Sequence, residues 1–107
     1  MYRQGDLLFV QLNGRTPEVK EIIEDGVVAR GESTGHAHRI APEDLAQGKA
    51  KVYFMENPRR IVIEVYQNVR VLHEEHKPIV LCKGRYEVRR QREYTPDTPE
   101  APHLVVD

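Results

Sequence analysis

The sequence predicts a single, mainly β domain that folds as a compact antiparallel sandwich or small barrel of about seven or eight short strands. Three observations support this prediction. Apolar and polar residues alternate in several short runs, turn-forming residues separate the runs, and 107 residues give room for one modest core. The clearest alternation lies in residues 60–65 (RIVIEV), 68–73 (NVRVLH), 78–82 and 85–92.

The elements near the start of the chain are predicted from turn signals. We expect a first strand over residues 4–12, which the turn Asn13–Gly14 ends. Residues 17–24 fit either a helix or a strand. Asp25–Gly26, followed by the apolar run 27–29, favours a hairpin at this point.

The middle of the chain combines strands with one helical turn. Strands are expected at 36–40 and 51–55. A proline and two acidic residues favour a helical turn at 42–45, which Gly48 ends. A further turn is expected at Asn57–Pro58.

Length and composition limit the organisation of the chain and its function class. One domain is expected over 1–94, followed by a stiff, proline-rich tail over 95–107. A net charge of −1 gives no general attraction to nucleic acid or acidic membranes. The single cysteine, Cys82, excludes an internal disulfide, and its apolar neighbours predict that it is buried. With no long apolar run and no signal-peptide core, a cytoplasmic protein without membrane contact is expected.

Two histidines stand one residue apart in GESTGHAHRI (31–40). Side chains two apart on a strand point to the same face, so His36 and His38 are expected on one face with Ala37 on the other. Small neighbours leave room for an ion beside them. Two imidazoles on one face are a common way for a sheet to offer nitrogen ligands to a metal.

A second pair of histidines occurs in LHEEHKP (72–78). His73 has the inward parity of its strand, and the turn Glu74–Glu75 can bring His76 back toward it. We therefore predict that His36, His38, His73 and His76 converge on one divalent transition metal: zinc, iron, nickel or manganese. Glu74 or Glu75 is the expected fourth ligand or the base for a bound water, and hydrolysis is the simplest reaction of such a site.

Two alternatives remain open from the same residues. A histidine pair can act as general base and general acid on a phosphodiester, as in a metal-free ribonuclease, with Tyr86 as a proton donor. His36, His38, His73, Glu75 and Tyr86 are therefore the candidate catalytic residues. The other alternative is a non-catalytic β module that binds a protein or nucleic acid and uses its histidines only for structure.

A cationic strip lies C-terminal to the second histidine pair. Residues 77–94 hold six basic and two acidic side chains, which suits a phosphate-containing ligand or RNA. The candidate phosphate-binding residues are Arg39, Arg85, Arg90 and Arg92. Arg90 and Arg92 have the inward parity of their strand, and a buried cation needs a partner. That partner is expected to be Glu74, Glu75, an anionic ligand or, in a homodimer, Glu93 of the second copy.

Three stretches resemble those of a group of small bacterial and phage-type proteins that are usually left uncharacterised. They are TGHAHRI (34–40), LHEEHKPIVLCKGRYEV (72–88) and RRQREYTP (89–96). The likeness implies that the histidine stretches belong together, and it implies no activity.

A second resemblance is to the first metal motif of cupins, whose order of residues Gly31, His36, His38, Glu43 and Gly48 follow. It implies that His36 and His38 are metal ligands, with His73 or His76 as the third. The second cupin motif is missing and Glu43 follows a proline, so the chain is similar to a cupin in this motif only.

Overall fold

The structure is a computed structural model, and it describes residues 1–13, 21–30, 35–56 and 59–90. The described residues form ten strands and one short helix, which confirms the mainly β prediction with more strands than expected. In chain order they are β1 (Tyr2–Gln4), β2 (Leu7–Gln11), β3 (Glu21–Ile22), β4 (Val27–Arg30), β5 (Ala37–Ile40), α1 (Pro42–Ala46), β6 (Ala50–Glu56), β7 (Arg59–Val65), β8 (Val69–Leu72), β9 (Ile79–Leu81) and β10 (Gly84–Arg90).

The strands form two antiparallel sheets. A six-stranded sheet has the order β1-β2-β10-β7-β6-β3, and a four-stranded sheet has the order β4-β5-β8-β9. Each sheet contributes alternate side chains to a shared core, as a two-layer sandwich requires. None of the helices in the described ranges is long and apolar enough to cross a membrane.

The core follows the two-residue alternation that the sequence predicts. Val52 and Ile63 of the six-stranded sheet and Ile40 and Val71 of the four-stranded sheet are all completely buried. Each aliphatic side chain of this size contributes about 1.5–3 kcal/mol when it is removed from water. The core therefore fixes which face of every strand points inward, and this includes the strands that carry the histidines.

The prediction of one strand over 4–12 is wrong. Gly5 and Asp6 form a turn, and β1 and β2 pair as a hairpin in which Gln4 lies opposite Leu7. Gly5 has a φ of +61°, a left-handed conformation that glycine adopts without a steric penalty. The hairpin places Gln4 and Asp6 at the same end of the molecule.

The predicted hairpin at Asp25–Gly26 is also wrong. β3 pairs with β6 in the six-stranded sheet, whereas β4 pairs with β5 in the four-stranded sheet. The turn therefore carries the chain from one sheet to the other, because the two apolar faces must cover the same core. Residues 17–20, Gly14, Asn57–Pro58 and the tail 95–107 lie outside the described residues.

The other predicted strands are confirmed to within one residue at each end, with residues 91–92 of the last one outside the described residues. Strands form at the two histidine-bearing regions, and α1 begins at Pro42 and is followed by Gly48 with a φ of +73°. Cys82 is an exception, because it lies just after β9 and is exposed. Leu81 takes the inward position at the end of β9 and is fully buried, so the next residue points away from the core.

The two sheets meet where β1, the edge strand of the six-stranded sheet, lies beside β9 of the four-stranded sheet. The side chain of Gln4 crosses this seam. Its Nε2 donates to the carbonyl oxygen of Val71 at 2.8 Å and to that of Lys77 at 2.9 Å. The histidine stretches lie at this seam, so the meeting of the two sheets positions them.

Candidate histidine site

Four imidazole rings form one cluster, which we call the histidine cluster: His36, His38, His73 and His76. The ring centroid of His73 lies 4.3 Å from that of His38, 4.6 Å from that of His76 and 5.6 Å from that of His36. The rings of His38 and His76 are nearly parallel, with centroids 6.1 Å apart. Two segments that are 35 residues apart in the chain therefore bring their histidines into contact, with His73 in the middle.

The pairing of β5 with β8 explains this convergence. Arg39 lies opposite Leu72 and Ile40 lies opposite Val71. Continuing this antiparallel register by one residue puts His38 opposite His73, just past the end of β8. Because side chains directly opposite each other are close neighbours, sheet pairing alone brings these two rings together.

His38 is the buried member of the histidine cluster, with 2% of its surface exposed. Its Nδ1 lies 2.8 Å from Oε1 of Gln4. The amide nitrogen of Gln4 is identified by its two partners, because both are carbonyl oxygens and can only accept. Oε1 is then an acceptor, so Nδ1 of His38 must donate. In the neutral ring the lone pair therefore lies on Nε2.

Nε2 of His38 lies 3.9 Å from Oδ1 of Asp6. The other oxygen of Asp6 accepts a hydrogen bond from Nη1 of Arg90 at 2.9 Å. Burial lowers the pKa of His38 to about 4, and the charges of His73, His76 and Arg90 add to this effect against the opposing charge of Asp6. The buried ring is therefore neutral at pH 7.

His73 has a different hydrogen-bonding state. Its Nδ1 accepts the backbone N–H of Glu75 at 3.0 Å, so the neutral ring carries its proton on Nε2. Burial lowers the pKa of His73, and the neighbouring His76 and His36 lower it further while Glu74 and Glu75 act against them. In this arrangement Nδ1 is engaged by the backbone, and Nε2 carries the proton of the neutral ring.

The two acidic candidates beside the histidines play different parts. Oε1 of Glu74 accepts the backbone N–H of Ala37 at 2.8 Å, and Oε2 accepts from Nη1 of Arg39 at 3.1 Å. The Ala37 bond is the main reason that the pKa of Glu74 falls to about 2. Glu74 therefore fastens its loop to β5. Glu75 is more exposed, and its Oε2 lies 3.6 Å from Nε2 of His36.

His76 lies against the β1–β2 turn. A Cβ atom placed on Gly5 would lie only 2.5 Å from Nε2 of His76. Glycine thus leaves space for the imidazole as well as permitting the turn conformation. The same turn supplies Asp6, so a single two-residue loop touches the histidine cluster at two points.

As arranged, the cluster is not a ready-made metal site. Across the described ranges of the chain, no three His, Cys, Asp or Glu side chains are placed so that they could hold a metal ion together. The hydrogen bond from Glu75 to His73 gives one physical reason, because it engages a nitrogen that a metal would need. Glu43 of the cupin-like motif is exposed and pairs with Arg70 at 3.2 Å.

The predicted phosphate-binding residues do not form one group. Arg39 pairs with Glu74, and Nη2 of Arg85 lies 3.8 Å from Oε2 of Glu64. The expectation that Arg90 pairs with Glu74 or Glu75 is wrong, because it pairs with Asp6 and donates to the carbonyl oxygen of Arg30 at 2.9 Å. An anionic ligand or a second copy as its partner stays a prediction. Arg92 lies outside the described residues.

The candidate proton donor Tyr86 is a core residue with 2% of its surface exposed. Its hydroxyl donates to the carbonyl oxygen of Cys82 at 2.6 Å, and its ring packs edge-on against Tyr2. Burial is the main reason that its pKa rises to about 12. A hydroxyl that is already donating and holds its proton this firmly is poorly suited to proton transfer near neutral pH.

Sequence reasoning missed Gln4 and Asp6. A continuous strand over residues 4–12 contains both residues and gives no reason to place either of them beside the histidines. The signal that could have found them is the Gly5–Asp6 pair between two short runs, a typical two-residue hairpin turn. With the turn recognised, their proximity to each other follows, although their position beside His38 depends on how the sheets meet.

Residues 3–91 match the model of a family described as a domain of unknown function (DUF8820). The matched range contains both histidine stretches and the Gly5–Asp6 turn. No match was found among curated proteins or among solved structures.

Proposed function

The chain belongs to the DUF8820 family, and from the geometry of the histidine cluster we propose that it binds a divalent transition metal. One observation carries the proposal. The ring of His73 contacts each of the other three imidazoles, and the buried one, His38, has its Nδ1 held by Gln4 and its Nε2 free of a proton. Imidazole nitrogens suit zinc, iron and nickel, and manganese accepts the added carboxylates.

The protonation state of the cluster supports metal binding. A metal must compete with protons for a histidine nitrogen, so neutral rings bind best. The pKa values of His38 and His73 both lie below the ordinary histidine value. At pH 7 both rings are therefore neutral, so a cation would not have to displace the extra proton of an imidazolium.

Binding requires the more exposed rings to turn toward Nε2 of His38. His38 is locked by burial, whereas His76 is exposed and His36 and His73 are half-buried. Side-chain rotamer changes of this kind are common on binding. His73 must also release the backbone N–H of Glu75, which can then be satisfied by water because the loop is exposed.

Hydrolysis is the reaction that we propose for the loaded site. A site with three protein ligands keeps a position for water, whose pKa a bound metal lowers toward neutrality. Glu75 is the proposed base, because its side chain is two-thirds exposed and lies near His36. A phosphate-containing substrate stays a prediction, since an anion would have to compete with Glu74 for Arg39 and with Asp6 for Arg90.

The alternatives fit the geometry less well. Acid–base cleavage of RNA needs two histidines on either side of a phosphate. Here the neighbouring rings are in contact, which leaves no space between His38 and His73 for a substrate group. A purely structural use would account for His38, which is buried and hydrogen-bonded, but it gives no reason for the three more exposed rings beside it.

The test is a metal titration of protein purified without a histidine tag. Co²⁺ is the probe, because its visible absorption reports ligand number and type, and elemental analysis gives the stoichiometry for zinc, iron, nickel and manganese. We expect one equivalent per chain in the wild type and none in His38→Gln. His103→Gln, in the tail, is the matched control and should bind as the wild type does. Absence of binding for all five metals would refute the proposal.

We also propose that TGHAHR and LHEEHKPI are signatures of the whole family, since both lie inside the matched range. Family members should then retain Gln4 and His38 together, because each satisfies a polar atom of the other. An alignment in which the histidines vary independently would remove this part of the proposal.

A further inference from the structure

We infer that Gln4 is a positioning residue for the histidine cluster: it fixes the tautomer of His38 and so directs the unprotonated Nε2 into the site. The hydrogen bonds of Gln4 determine the tautomer of His38 whether or not a metal binds. The effect of that tautomer on metal affinity rests on the proposed function. Gln4 is 2% exposed and belongs to β1, in the sheet that does not carry His38.

The side chain of Gln4 has three hydrogen-bonding partners, and glutamine is the residue that suits all of them. Two carbonyl oxygens, of Val71 and Lys77, need donors, and Nδ1 of His38 needs an acceptor or a donor. The amide supplies two N–H donors to the carbonyls and one oxygen to the ring. Glutamate in the same place would set an ionised oxygen against two carbonyl oxygens, and methionine would leave all three partners unsatisfied.

The opposite tautomer of His38 would be unfavourable in this setting. A proton on Nε2 would leave a lone pair on Nδ1, which would then face the oxygen of Gln4 at 2.8 Å. Two acceptors at that distance repel each other, and both are buried away from water. The tautomer is therefore selected by Gln4 and not left to the intrinsic preference of the ring.

This arrangement makes the site depend on the joining of the two sheets. Val71 lies on β8, and Lys77 lies in the loop after His76. Gln4 therefore hydrogen-bonds to the strand and to the loop that flank the second histidine pair. The same side chain holds the first pair through His38. Histidines that bind a metal commonly donate the N–H of their second ring nitrogen to such a partner. Loss of that partner typically lowers metal affinity about 10- to 100-fold.

The first experiment reads the tautomer in metal-free wild-type protein. Long-range ¹H–¹⁵N correlation spectra of uniformly labelled protein distinguish a protonated Nδ1 from a protonated Nε2 on each histidine. We expect His38 to be protonated on Nδ1 and His73 on Nε2. A His38 ring protonated on Nε2, or one that averages between both forms, would overturn the inference.

The second experiment measures the consequence in Gln4→Met, with Gln67→Met as the matched control on the surface. Co²⁺ affinity is expected to fall about 10- to 100-fold in the first variant and to stay unchanged in the second. Unchanged affinity in a folded Gln4→Met would overturn the positioning role. If this variant does not fold, the wild-type spectrum still decides.

The two experiments separate this inference from the proposed function. A protein that binds no metal but shows the Nδ1–H tautomer of His38 would disprove the proposed function and leave the role of Gln4 intact. A protein that binds metal with His38 in the other tautomer would do the reverse.

Discussion

Two buried polar groups, Asp44 and His38, lie in different parts of the fold and differ in their hydrogen-bond partners and in their charge state. Asp44 lies on α1 and is 7% exposed, and His38 lies on β5 and is 2% exposed. Both have pKa values below the ordinary value of their group. For Asp44 this shift marks a group that is stabilised as an ion, and for His38 it marks one that is prevented from becoming an ion.

The partners of Asp44 account for its state completely. Its Oδ2 accepts the backbone N–H of Arg70 at 2.9 Å and Nε of the same residue at 3.4 Å, and Lys49 lies 3.9 Å from Oδ1. Burial pushes the pKa of Asp44 upward, but the two hydrogen bonds from Arg70 and the nearby positive charges lower it further than burial raises it. This site joins α1 to β8, and Arg70 and Lys49 balance the charge of the carboxylate.

Nε2 of His38 makes no hydrogen bond within the part of the chain that the structure describes. Gln4 satisfies Nδ1, while Nε2 faces a carboxylate at 3.9 Å and the other rings of the cluster. Placing further histidines there does not stabilise the fold electrostatically, because their proximity disfavours protonation of His38 and His73. This difference is the reason for proposing that the histidine cluster, and not the site of Asp44, accepts a ligand.

Removing His38 and Asp44 in separate variants should have the largest effects, and the two effects should differ in kind. Under the proposed function, His38→Ala should abolish Co²⁺ binding, because it deletes the one proposed ligand that burial fixes in place. Asp44→Ala should destabilise the fold by about 2 kcal/mol, the usual loss for hydrogen bonds to a charged group, and should leave Co²⁺ binding unchanged. Chemical denaturation and metal titration of both variants provide the measurements. Equal loss of metal binding in both variants would contradict the assignment of metal binding to His38 and of a purely structural role to Asp44.

The acid stability of the metal-free protein tests whether Asp44 is stabilised as an ion in the fold. Because the pKa of Asp44 is lower in the folded state than its ordinary value, this group stabilises the fold fully above about pH 4. That stabilisation is lost as the pH falls from there through the lower folded value. Asp44→Asn should therefore lose less stability than the wild type over this range. The free energy of unfolding of both proteins should be measured by chemical denaturation at several pH values from 5 downward. If it falls equally with pH in the two proteins, Asp44 is not paired as described.

Gly5 and Gly48 provide a matched pair for the turn that touches the histidine cluster. Both have positive φ, so alanine at either position should cost about 1–2 kcal/mol in backbone strain. A Cβ on Gly48 meets no atom within 4 Å, whereas one on Gly5 meets the ring of His76. Gly5→Ala should therefore also weaken Co²⁺ binding, and Gly48→Ala should not. Equal metal affinity in the two variants would place His76 outside the site.

The smallest expected effect belongs to the contact between Glu74 and Arg39. Glu74→Gln keeps an acceptor for the backbone N–H of Ala37 but removes the charge that pairs with Arg39. Exposed ion pairs contribute little, so we expect a slight weakening of Co²⁺ binding and a slightly lower melting temperature. Arg89→Gln, which disrupts another exposed pair with Glu87, is the control for a general charge effect. A loss as large as that of His38→Ala would make Glu74 a ligand.

The sequence predicted the strands and the histidine faces because both depend on local periodicity. Strand geometry alone predicts that His36 and His38, two positions apart, share a face. It also predicts that His73 has the inward parity of its strand. Gln4 and Asp6 could not be found in the same way, since their role depends on a turn and on the contact between two sheets. The partner of Arg90 was missed for the same reason, because Asp6 is 84 residues away in the chain.

The most direct test of the central claim is a crystal structure of the zinc-soaked protein, with diffraction data collected on both sides of the zinc absorption edge. We predict one anomalous peak within about 2.1 Å of Nε2 of His38, with at least two further rings of the cluster turned toward it. A fully soaked crystal with no peak at Nε2 of His38, or with its only zinc bound elsewhere on the surface, would contradict the account.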